Sequence, residues 1–254
     1  MEGSIRQVLG NFISQLLPYF CIICQRQGTM LCERCVNKLK LLSPHCMLCQ
    51  KFSPKGETCS LCLQTLPVLR SIIPFGYSAV VKALFAVYKY QEAFRYKRVI
   101  AELVEVYASL DPFLLFQNFQ QSFEYILIPV PMHIKKYQIR GFSPAIHVAV
   151  ILEEVLKKRG IVVSINSSLV HKVKETEKQA GKSKQARLQN QHNVFAVNNQ
   201  ALKKLAIRSN KVLIIVDDIT STGATLSSVA ETILTSIKEH RHTIPIWCFA
   251  FARG

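Results

Sequence analysis

The 254 residues suffice for one or two domains, and 49% hydrophobic content supplies a core, which excludes a wholly disordered chain. Thirty-two Lys and Arg against sixteen Asp and Glu leave +16, a field that favours polyanions, whether nucleic acid, phosphorylated metabolites or an acidic membrane surface. The apolar stretch from Ile72 to Val87 is broken by Pro74 and Lys82 and is too short to cross a bilayer, so no transmembrane segment is expected.

The first twenty residues carry an apolar face at Ile5, Val8, Leu9, Phe12 and Leu16, the pattern of a short amphipathic helix. Asn11, Ser14 and Gln15 interrupt any signal-peptide core, and no small-residue cleavage site follows. A cytoplasmic protein is expected, with this helix packed on the neighbouring module or used for docking on a membrane surface or a partner.

Eight of the nine cysteines lie between residues 21 and 62 as four CxxC pairs: Cys21 with Cys24, Cys32 with Cys35, Cys46 with Cys49, and Cys59 with Cys62. Two residues between thiolates let both sulfurs face one ion, and four thiolates complete tetrahedral zinc, so the set fits two Zn²⁺. The segment has few large apolar groups, so metal would supply much of its folding free energy. A disulfide framework is the alternative, disfavoured where thiols stay reduced. Sequential use closes loops of seven and nine residues and costs less than interleaved use, although both are possible. Cys248, alone in the apolar run Ile244 to Phe251, reads as an inert core residue. The expected organisation is a helix and double zinc ribbon over 1–66, followed by an α/β domain over 67–254.

Within the second part, a short strand is predicted near Ile72 to Tyr77, then helices from Val80 to Tyr90 and Tyr96 to Ser109. Tyr125 to Val130 reads as a strand stopped by Pro129-Val130-Pro131, followed by Lys135, Lys136 and Arg140. A helix over Pro144 to Arg159 and a strand over Val162 to Ile165 complete a βαβ succession, which favours a parallel sheet. From His171 to Lys211, ten Lys or Arg face two Glu. The first half of that stretch lacks periodicity and suits either a solvated surface loop or a basic arm that orders on a phosphate-rich ligand; Asn193 to Val197 suits a short strand or flap.

The apolar run Val212 to Val216 reads as a buried parallel strand leading into Asp217 and Asp218, two carboxylates expected to face solvent at its carboxyl end, where open α/β sheets bind ligands. Thr220, Ser221, Thr222, Gly223, Ala224 and Thr225 then form a hydroxyl-rich turn opening a helix over Leu226 to Ile237, a ready phosphate pocket. An ordinary capped βα turn is the plainer alternative. Carboxylates repel a bare phosphate, so they imply sugar hydroxyls, a divalent cation, or both.

This stretch resembles the phosphoribosyl pyrophosphate signature of the type I phosphoribosyltransferases. With the CxxC pairs, Lys89-Tyr90, Ile128 to Pro131, Arg140-Gly141-Phe142, Gln179, Arg187, Asn190 and Phe195, the chain resembles the ComF family of competence-associated proteins over nearly its whole length. That family usually has Asn-Gln after Arg-Gly-Phe, where this chain has Ser143-Pro144. The resemblance implies a type I phosphoribosyltransferase-like parallel sheet and a role in natural transformation. There the protein would handle incoming single-stranded DNA together with a ComF-type helicase and other competence proteins. It further implies that Asp217 and Asp218 hold ribose hydroxyls and that residues 220–225 hold the 5′-phosphate. Lys135, Lys136 or Arg140 would face the pyrophosphate with Mg²⁺, and the basic candidates Lys182, Lys184 and Arg187 would serve pyrophosphate or DNA. Turnover and the acceptor stay open: the pocket could equally be a sensor, and a metabolic phosphoribosyltransferase with an added zinc module is the alternative.

Overall fold

The computed structural model describes residues 20–90, 93–110, 122–173, 194–206, 210–239 and 244–254. The expected amphipathic helix before residue 20, together with Gln179, Lys182, Lys184, Arg187 and Asn190, lies outside the described residues.

The protein is mixed α/β with a parallel sheet. The strands are β1 (Arg70–Ile72), β2 (Phe75–Gly76), β3 (Glu124–Pro129), β4 (Val162–Ile165), β5 (Val170–Lys172), β6 (Phe195–Val197), β7 (Lys211–Thr220) and β8 (Ile246–Arg253). The helices are α1 (Glu33–Val36), α2 (Ser60–Thr65), α3 (Ala79–Tyr90), α4 (Ala93–Leu110), α5 (Ile134–Arg140), α6 (Pro144–Lys157), α7 (Asn199–Ala206) and α8 (Ala224–Glu239). The sheet order is β1-β8-β7-β3-β4, with β2 also on β8, and every pairing in it is parallel. β5 and β6 form a separate antiparallel pair.

Alternation along the central strands sorts two cores onto the two faces of the sheet. Tyr125, Leu127, Val212, Ile214, Val216, Trp247, Phe249 and Phe251 face one core, with Leu84, Phe85, Ile100, Leu103, Val148 and Leu152 from α3, α4 and α6. Ile126, Ile128, Leu213, Ile215, Ile246, Cys248 and Ala250 face the other, with Leu226, Val229 and Ile233 of α8, Phe195 of β6 and Leu202 of α7. Cys248 is fully buried, and burial followed by the charge of Asp217 pushes its thiol up, as an inert core residue requires.

Two expectations change. Pro74 splits the first strand into β1 and β2, because proline supplies no ladder N–H. β7 does not end with its apolar run: Asp217, Ile219 and Thr220 continue to pair with Ala250, Ala252 and Arg253 of β8. The pairing of β3 with β7 stops at Pro129 and Val216, so the last four residues of β7 are laddered on one flank only.

The chain leaves β3 for β4 on one side and later returns to β7 on the other. This reversal puts a topological switch point, the usual ligand crevice of such sheets, at the carboxyl ends of β3 and β7.

Candidate functional site

Two groups of four cysteines that could each hold a metal ion stand in the N-terminal segment. Cys21, Cys24, Cys32 and Cys35 gather in one group and Cys46, Cys49, Cys59 and Cys62 in another, the sulfurs of each lying within 4.8 Å of one another. This is the sequential pairing. The Sγ separations Cys24 to Cys32, 3.6 Å, and Cys49 to Cys59, 3.7 Å, are far beyond a disulfide bond. They match the separation of about 3.8 Å that Zn–S bonds of about 2.3 Å give at the corners of a tetrahedron.

The donor chemistry agrees. Burial pushes the Cys21 thiol up, but backbone N–H groups of Cys32, Cys24 and Ile23 outweigh it and bring the thiol down to about 6. Cys46 is treated the same way, burial being outweighed by N–H groups of Cys49, Cys59 and Leu48, and comes to about 7. In each group the last cysteine is held up at about 12, by burial first and then by its neighbouring thiols. One thiolate therefore forms readily, whereas four together require a cation among them.

Both knuckles are tied to the sheet. Leu42 and Gly76 donate backbone N–H groups to Pro74 and Lys40 at 2.9 and 2.8 Å, and Thr58 donates to the Leu69 carbonyl at 3.0 Å. Ile22, Met30, Leu31 and Leu39 of the first knuckle pack on the core that contains Phe251. Met47 of the second enters the opposite core and is fully buried.

At the switch point, Asp217 and Asp218 lie on the overhanging end of β7. Asp217 is only 9% exposed, so it does not face solvent as expected; its Oδ1 accepts the Asp218 N–H at 2.9 Å, while Asp218 is half-buried. Thr220 is buried within the strand and paired with Arg253, so it stands apart from the turn. Ser221, Thr222, Gly223, Ala224 and Thr225 surround the start of α8, which begins two residues earlier than the apolar pattern suggests. Thr222 Oγ1 accepts the Ala224 N–H at 3.3 Å, a local cap. Gly223 has φ +79°, a left-handed conformation that disfavours a side chain. A Cβ there would point at Met47, 3.3 Å from its Cγ, and not into an open pocket.

The end of β3 opens into a cleft of about 350 Å³ lined by Pro129, Val130, Met132, His133, Tyr137 and Lys172, among others. The Val130 N–H donates to the Val216 carbonyl at 2.8 Å, but no residue of β7 or of the turn after it lines the cleft. Lys135, Lys136 and Arg140 fall on α5, an unexpected helix between the proline turn and Gly141; none of the three lines the cleft. Gly141, at φ +74°, ends that helix with its N–H on the Tyr137 carbonyl. Ser143 and Pro144 have a structural use: Ser143 Oγ accepts from the Ile146 N–H and Pro144 occupies the first turn of α6. Lys89-Tyr90 closes α3.

Sequence reasoning missed His133, Tyr137, His171 and Lys172, which line the cleft, and Arg253, which braces the second knuckle. Their only sequence signal was proximity to a strand end.

Fold and site together define an α/β protein with a parallel sheet and two four-cysteine metal knuckles packed on it. The chain matches no protein-family model and no curated protein. No helix among the described residues is long and apolar enough to cross a membrane.

Proposed function

We propose that the chain binds a phosphoribosyl ligand at the β7–α8 turn, phosphoribosyl pyrophosphate with Mg²⁺ in the first instance, and that it acts on single-stranded DNA in the manner of the ComF family. The observation that carries this reading is the acidic pair on an overhanging strand at the switch point, followed at once by a hydroxyl-bearing turn and a helix N-terminus. Asp217 and Asp218 suit ribose hydroxyls, and Ser221 to Thr225 suit a phosphate. The +16 charge supports an extended polyanion as a second ligand. Partners such as a ComF-type helicase rest on the family resemblance alone.

The test pairs two titrations of the zinc-loaded chain: calorimetry with phosphoribosyl pyrophosphate and Mg²⁺, and single-stranded DNA binding across a salt series. Saturable heat with the first and a linear fall of log affinity with log salt in the second are expected. No heat with phosphoribosyl pyrophosphate rejects the site.

One observation favours a metabolic phosphoribosyltransferase instead. The cleft at the end of β3 has the volume and mixed lining of a small-molecule pocket. Turnover of phosphoribosyl pyrophosphate with a small acceptor, coupled with indifference to DNA, would establish that alternative.

A further inference from the structure

The second metal knuckle and the proposed phosphate turn meet at one residue, Met47. It follows the ligand Cys46 directly, and the Cys46 carbonyl accepts the Gln50 N–H at 2.9 Å, closing the tight turn that carries Cys49. Arg253 Nη2 donates to the Met47 carbonyl at 3.0 Å, and Arg253 is the register partner of Thr220 on β7. His45, on the other side of Cys46, is held as well. Its Nδ1 lies 2.9 Å from the Ser43 carbonyl, its Nε2 lies 3.2 Å from Arg253 Nη1, and its carbonyl accepts from Ser71 Oγ at 3.0 Å. Met47 also packs against Gly223, its Cγ 3.3 Å, its carbonyl oxygen 3.6 Å and its Sδ 3.7 Å from the place a Cβ would take. Cys46 and Cys49 thus set Met47, and Met47 forms the wall behind the turn before α8.

We propose that metal at Cys46, Cys49, Cys59 and Cys62 and a phosphoribosyl ligand at Ser221 to Thr225 are thermodynamically linked through Met47, each tightening the other. Met47 is then a positioning residue. The inference rests on the proposed phosphate site and adds a control over it. Zinc fixes the Cys46–Cys49 turn; loss of zinc loosens Met47 and with it the wall against Gly223, which as a glycine has many other backbone conformations open to it. Linkage is reciprocal, so a ligand that orders the turn must tighten the binding of this zinc by the same factor. The first knuckle is an internal reference, because Ile22, Met30, Leu31 and Leu39 pack on the opposite face of the sheet.

The experiment equilibrates the intact chain against a graded zinc-selective chelator, with Mg²⁺ present throughout, with and without saturating phosphoribosyl pyrophosphate. Thiol labelling at each free-zinc level, read by peptide mass, assigns occupancy to each knuckle. The zinc affinity of the second knuckle should rise by about tenfold, within the usual span of coupling between sites, with the first unchanged. Met47→Ala should keep both zinc ions and weaken phosphoribosyl pyrophosphate binding by about tenfold, and Met47→Leu should restore it. Equal zinc affinities with and without bound ligand, an equal rise at both knuckles, or a Met47→Ala chain that binds as tightly as the parent overturns the linkage while leaving the phosphate site intact. No binding of phosphoribosyl pyrophosphate to the zinc-loaded chain overturns the site reading itself and the linkage with it.

Discussion

Arg253 and Met47 are 206 positions apart in the chain, and the Arg253 guanidinium donates to the Met47 carbonyl oxygen at 3.0 Å. The same guanidinium reaches His45 Nε2, which must accept and therefore carries no proton; burial, opposed by the hydrogen bond to the Ser43 carbonyl and aided by the charge of Arg253, lowers the His45 pKa in agreement. The second knuckle is thereby fastened to the carboxyl end of β8, beside the strand that bears the acidic pair.

Metal content tests the knuckles directly. Protein purified without chelators should carry about two zinc ions per chain. Cys21→Ser should lower this to about one while the far-UV circular dichroism of the α/β body persists, since the first knuckle depends on its metal and the sheet has its own core. Elemental analysis that finds no zinc in the parent chain rejects both metal centres.

For the acidic pair, Asp217→Asn with Asp218→Asn should abolish binding of phosphoribosyl pyrophosphate and leave or raise affinity for single-stranded DNA, because two negative charges vanish. The amide introduced at position 217 keeps an oxygen that can still accept the neighbouring N–H, so the stability change should stay within about 1 kcal/mol despite the burial of Asp217. Unchanged calorimetric binding by the double variant would remove the carboxylates from the site.

Gly223→Ala should destabilise the protein by about 1–2 kcal/mol from the left-handed backbone alone. The new Cβ would also lie 3.3 Å from Met47 Cγ, so that side chain has to shift slightly. Chemical denaturation checks the loss, and an Ala variant as stable as the parent contradicts the geometry of this turn.

A pH test comes from Glu105. Lys158 at 2.7 Å, opposed by burial and aided by Arg159 at 3.1 Å, holds its carboxyl below the usual glutamate range. A depressed folded pKa means that the stabilisation is complete above the unfolded value, about 4.3, and is lost as pH falls through the folded value. Glu105→Gln should cost up to about 1 kcal/mol at pH 7, the ceiling for such partly exposed pairs, and should flatten the decline of stability in acid. Parallel stability curves for the two proteins between neutral and acid pH would count against the pair.

Much of this architecture is readable in the amino-acid pattern where one local signal dominates. Val162 to Ile165 is the strand expected, and Val212 to Val216 lies in a central buried strand, because apolar runs between turn signals have few other uses. The paired CxxC spacing pointed to two metal groups for the same reason: the chemistry is local. Helix α5 was missed because Ile134, Tyr137 and Ile139 are exposed on it, so no buried face announces its period. The hairpin strand β5 and helix α7 hid in a basic stretch whose few apolar anchors, Val170, Phe195 and Leu202, find their partners across the second core. The burial of Asp217 depends on the ladder with Ala250, and the wall behind Gly223 on a cysteine turn far away in sequence; neither is encoded near the residues it affects.

The place of β8 has a consequence for the order of assembly. It lies between β7 and β1 and pairs Phe249 with Ile72, so the sheet cannot join its two halves until this late strand is available. The knuckles close short local loops and can take up metal while that strand is still being synthesised. Joining the halves is slow by comparison, as parallel pairing between distant segments is. Zinc-loaded knuckles would then await their platform, with the Met47 carbonyl lacking its Arg253 donor, and apolar surface exposed in that interval is prone to aggregate.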